Sequence, residues 1–121
     1  MTTTKTHAGP LETTSYRFAL DITLLCKDLM ERKREYVLSK QLLRSGTSVG
    51  ANIQEAQFAQ SRADFVCKFS IALKEANESR YWLRLLCDTG YVQKSEISDL
   101  FTQVQQIIGM LVRSIKTTKN I

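Results

Sequence analysis

The chain is short of the residues that break helices and of those that carry out chemistry. Proline occurs once, at Pro10, and only five glycines are spread over 121 residues. Long stretches without a breaker favour helices, whereas a sheet of many short strands needs turn residues at frequent intervals. Histidine occurs once, at His7, so the Glu-x-x-His pairs of a di-metal bundle are excluded. Cys26, Cys67 and Cys87 are odd in number and lack metal-ligand spacing, which suits reduced thiols rather than a disulfide or a zinc site. No run approaches the ~18 apolar residues of a membrane helix, and the first ten residues contain no apolar stretch. A cytoplasmic protein with neither signal peptide nor membrane span is therefore expected. Gly46-x-x-x-Gly50 is not followed by the Lys-Ser/Thr of a phosphate-binding loop, and no Gly-x-Gly-x-x-Gly occurs. With no nucleophile beside a base, the expectation is a protein that is not an enzyme and that holds neither cofactor nor metal.

What is present is a foldable composition: 43% hydrophobic and 24% charged residues. The length allows one domain with a single core. A net charge of +5 and a pI near 9.3 suggest an anionic partner.

Hydrophobic spacing divides the chain into four helices. Residues 1–14 are polar and threonine-rich and read as a flexible tail that includes His7. The first helix is expected over about 15–33, with Ser15 as N-cap and Phe18, Ile22, Leu25 and Leu29 on one face. The second covers about 36–59. Its apolar face, Leu38, Leu42, Val49, Ile53 and Ala56, also carries Ser45, Gly46 and Asn52, with Gly50 beside it. Two interior glycines cost roughly 1 kcal/mol each against alanine, so close approach of a neighbouring helix must offset them.

Ser61-Arg-Ala-Asp64 reads as a capping box opening a third helix over 62–88. There Phe65, Phe69, Ala72, Ala76, Ser79, Leu83 and Leu86 recur at heptad spacing, and the small residues at its centre are expected to receive the glycine strip. Gly90 follows as C-terminal glycine. A fourth helix over about 95–116 presents Ile97, Leu100, Phe101, Val104, Ile107, Ile108, Leu111, Val112 and Ile115 on one broad face, and 118–121 should fray. Short links between long helices imply an antiparallel up-down-up-down four-helix bundle over 15–117.

Second apolar strips remain once the core face is assigned: Leu20 and Leu24, Leu43 and Phe58, and Ile71, Trp82 and Leu85. Apolar surface of this extent marks a self-association interface, so a homo-oligomer is expected. Lys40 and Arg44, with Arg80 and Arg84, form two basic pairs at i, i+4 spacing and are the candidate nucleic-acid contacts. Glu55, Glu75 and Glu78 are the alternative partners for those cations. Together with Arg44, Ser45, Ser48 and Asn52 they form a candidate polar network that fixes register.

The runs QLLRSGTSVGANIQEA at 41–56, Asp64-Phe65, IALKEA at 71–76 and YWLRLL at 81–86 resemble the bacterial four helix bundle protein family. That family includes proteins encoded by intervening sequences in 23S ribosomal RNA genes, and it is related to the accessory variability protein of diversity-generating retroelements. The resemblance spans about 16–116 and is carried most specifically by Arg44, Ser45, Ser48, Asn52, Ile53 and Glu55. It departs at Ala56, where the intervening-sequence branch usually carries glycine. The resemblance implies a homopentameric ring of antiparallel bundles. For the retroelement relative it also implies a basic surface that binds nucleic acid and a reverse transcriptase.

Three readings stand at this point. One is a pentameric accessory factor that binds RNA or DNA through the backbone with little sequence specificity. Another is an oligomeric scaffold for a protein partner, with Arg80 and Arg84 paired to Glu75 or Glu78 of a neighbouring chain. The last is a ligand-binding bundle, which requires a cavity beside the glycine strip.

Overall fold

In the computed structural model, which describes residues 9–120, α1 runs Pro10–Arg32, α2 Val37–Ala56, α3 Arg62–Asp88 and α4 Lys94–Lys119. The fold is the all-α four-helix bundle, with no strand among the described residues. Along α2 from Arg44 to Glu55 the partner on α3 steps back from Glu78 to Lys68, so these helices are antiparallel. Each helix packs on its neighbours in sequence, and α1 closes the ring against α4.

Several boundaries differ from the spacing-based expectation. The inner end of the proposed tail is helical: Pro10 is the first helical residue, where a missing N–H costs nothing, and Gly9 N donates to Glu12 Oε1 at 2.9 Å. Ser15 is therefore no cap but a residue of α1 that is 1% exposed. Residues 1–8, with His7, lie outside the described residues. Helix α2 stops at Ala56, because Phe58 N and Ala59 N donate to carbonyls three residues back, at 3.0 and 3.1 Å, and tighten the last turn out of α-geometry. Helix α4 continues through Lys119, so 118 and 119 belong to it. Ser61 Oγ accepts from Asp64 N at 3.0 Å, whereas the Asp64 carboxylate accepts from Gln60 N at 3.2 Å instead of closing on Ser61.

The core contains Phe18, Ile22 and Leu29 of α1, Leu42, Val49 and Ile53 of α2, Leu83 and Leu86 of α3, and Ile97, Val104, Ile107 and Leu111 of α4. Each such side chain stabilises the fold by roughly 1.5–3 kcal/mol relative to exposure. The heptad seam of α3 is buried from Phe69 to Leu86, and Phe65 lies half-buried against Phe69 with ring centroids 4.3 Å apart.

The glycine strip faces a different neighbour from the one expected. A Cβ built on Gly46 would lie 2.8 Å from Ile22 Cγ2, and one on Gly50 would lie 3.4 Å from the Ser15 carbonyl oxygen. Both glycines thus admit α1, not α3. Helix α3 meets α2 instead through Ser79 Oγ, which donates to buried Ser45 Oγ at 2.9 Å.

Candidate functional site

Arg44, Ser45 and Glu55 of the α2 motif lie along its contact with α3. Arg44 reaches across to Glu75 at 3.2 Å and also binds Glu78, whose carboxylate accepts from Trp82 Nε1 at 3.0 Å. The Trp82 hydrogen bond and the Arg44 guanidinium together outweigh partial burial and hold Glu78 below the usual carboxylate range. The hydrogen bond that Arg44 donates to Glu78 raises the arginine's pKa in turn. Beneath this cluster lies the Ser45–Ser79 contact, and toward the far end Lys68 Nζ pairs with Glu55 at 3.1 Å. Asn52 does not cross to another helix: its Nδ2 donates to the Ser48 carbonyl at 2.9 Å and to Ser48 Oγ at 3.1 Å. A side chain that finds acceptors one turn back on its own helix has no donor left to reach further.

The four candidate nucleic-acid contacts do not form one patch. Arg44, and with it Lys40 one turn earlier, follows the α2–α3 side. Arg80 turns toward α4, where it binds Gln105 and lies 3.3 Å from Asn77 Oδ1. Arg84 lines a depression between α3 and α4 with Lys94 and Phe101. Among the described residues Lys40 and Arg84 are exposed and have no hydrogen-bond or ion-pair partner, while Arg44 and Arg80 are engaged within the chain.

Leu20, Leu24, Phe58 and Ile71 stand exposed, by 45, 59, 78 and 37%. The other three residues assigned to an outer strip, Leu43, Trp82 and Leu85, are half-buried; Leu43 and Trp82 pack onto the core of their own bundle. Beside Gly50 an open groove of about 380 Å³ runs between α1 and α2, floored by Ser15, Ala19 and Ile53.

A residue passed over in the sequence is Glu35, which is 7% exposed. Its carboxylate accepts from Val37 N, Leu38 N and Ser39 N at 3.1, 2.9 and 2.7 Å and from Ser39 Oγ at 2.7 Å, so it caps the first turn of α2. Burial alone would raise Glu35, but those hydrogen bonds prevail and hold it below its ordinary value. Burial, aided by the Glu35 charge, pushes the Cys26 thiol up to about 12, so it stays protonated. An acidic residue just before a helical run was the available signal. The neighbouring Lys33 Nζ donates to the Tyr91 carbonyl at 2.8 Å and ties the α1–α2 link to the α3–α4 link. No helix among the described residues is long and apolar enough to cross a membrane.

A family model described as 23S rRNA-intervening sequence protein matches residues 12–113. A crystal structure of a protein of unknown function from the S23 ribosomal protein family of Bacteroides thetaiotaomicron is similar, with a TM-score of 0.86 and 48% identity, covering 88% of this chain and 98% of that one. No curated protein matches the chain.

Proposed function

Because the chain belongs to the 23S rRNA-intervening sequence protein family, we propose that it acts in the cytoplasm as a non-enzymatic, homopentameric accessory factor that binds nucleic acid through the phosphate backbone. The observation that carries the reading is the division among the cations. Arg44 and Arg80 are engaged within the chain, whereas Lys40 and Arg84 are exposed, have no partner among the described residues and remain available to phosphates. Five copies of a +5 chain would carry about +25, enough to raise the local concentration of an anionic polymer. Exposed Leu20, Leu24, Phe58 and Ile71 supply the apolar surface for self-association.

The scaffold reading has less support, since Glu75 and Glu78 are already engaged by Arg44 of the same chain. Fluorescence anisotropy with a labelled structured RNA tests the proposal. Affinity should fall more than about tenfold between 50 and 200 mM salt, as release of condensed counterions requires. Binding that is absent, or flat across that range, would remove it. Sedimentation equilibrium should give five times 13.8 kDa, and a monomer at micromolar concentration would refute the assembly.

A further inference from the structure

Helices α1 and α3 each end with a left-handed residue two places past the last helical one, at the same end of the bundle. After α1, Glu35 N donates to the Leu29 carbonyl at 3.1 Å, and after α3, Tyr91 N donates to the Leu86 carbonyl at 3.0 Å. Each bond spans a residue with left-handed backbone: Gly90 at φ 87° and Arg34 at φ 55°. Glycine takes that conformation freely, whereas an arginine takes it against the clash of its Cβ with the backbone. One link thus holds a cation in the place where its counterpart holds glycine.

Arg34 is exposed and has no partner among the described residues, and the adjacent Glu35 carboxylate is already occupied by α2. Tyr36 and Tyr91, 48 and 37% exposed, lie on the two links joined by the Lys33 hydrogen bond, the first of which carries Arg34. Three residues beyond Tyr91, Lys94 lines with Arg84 a depression of about 440 Å³, neither cation having a partner among the described residues. Asp88 shares that depression and lowers its charge, which suits a singly charged phosphodiester better than a multiply charged anion.

We propose that this link end of the bundle binds single-stranded RNA, with phosphates on Arg34, Arg84 and Lys94 and unpaired bases stacked on Tyr36 and Tyr91. Cations beside exposed aromatic rings are the combination that unpaired nucleotides select, because bases in a duplex have no free face to offer. This proposal rests on the nucleic-acid reading above and gives it a strand type and an address.

The test uses a fluorescein-labelled uridine 20-mer, a duplex RNA of equal length and poly-glutamate, titrated with the full chain and with variants shown by circular dichroism to keep their helicity. Arg84→Gln/Lys94→Gln should weaken uridine binding about tenfold and lower the salt slope by one to two. Tyr36→Ala/Tyr91→Ala should weaken it at least about tenfold. Arg34→Gly should weaken binding about threefold while raising the unfolding midpoint, two effects of opposite sign that a purely structural role would not give. Arg113→Gln/Lys116→Gln, at the far end of α4, should leave binding unchanged. If the unaltered chain binds RNA and the link-end variants bind it equally well, this inference falls and the broader reading survives. Equal affinity for duplex or for poly-glutamate would also overturn it, and no RNA binding by the unaltered chain would overturn both.

Discussion

Arg44 and Arg84 are both surface arginines of one bundle, yet they are used differently. Arg44 faces two carboxylates that α3 presents a turn apart, and the ion pairs hold α2 and α3 in register at the level where Ser45 meets Ser79. Arg84 lines a depression together with a second cation, Lys94, and a single carboxylate, Asp88. Where charges are matched inside the chain, a positive residue adds stability and little is left for a ligand. Where two cations share a depression with a single carboxylate, a net positive charge is left for an anion. Net charge alone therefore says less about binding than the count of cations left unmatched.

That contrast depends on α2 being fixed in place, and Gly46→Leu should disturb it most. The added side chain starts 2.8 Å from Ile22 Cγ2, so α1 and α2 must separate. Overpacking of this kind costs about 3 kcal/mol, beyond the ~1 kcal/mol gained in helix propensity, and should appear as a lower midpoint in urea unfolding. Next in size is Glu35→Gln, which weakens the cap on α2 and loosens the link that carries Arg34, at a cost of about 1–2 kcal/mol. Its pH signature has a definite sign. The folded state holds Glu35 below its ordinary 4.5, so its contribution is full above that pH and is lost as pH falls through the lowered value. Glu78 acts in the same direction. The unaltered protein should therefore lose more stability between pH 6 and pH 3 than Glu35→Gln does. Smallest is Arg44→Gln, about 0.5–1 kcal/mol, because the arginine side chain is 52% exposed and its ion pairs are screened.

The fold was legible because the core pattern is local to each helix: the heptad of α3 from Phe69 to Leu86 is buried as its spacing implies. The start of α1 was less so, since threonines around Pro10 resemble a tail, while the proline at the first helical position and Glu12 behind it carry the boundary. Gly46 and Gly50 announce a close approach without naming the partner, because a missing Cβ is complementary to any helix, and α1 is the one that fills the space. The candidate site was legible as a set of residue types only. Which cation meets which carboxylate depends on how four helices are rotated against one another, and the backbone of Arg34 depends on how α1 terminates. Neither is written in the neighbouring residues.

The most direct measurement pairs urea unfolding with RNA anisotropy for Arg44→Gln and Arg84→Gln at one salt concentration. Arg44→Gln should lose stability and keep its affinity, whereas Arg84→Gln should keep its stability and bind RNA several-fold more weakly. Equal loss of affinity in the two variants, with both folded, would contradict the division of the cations on which the account rests.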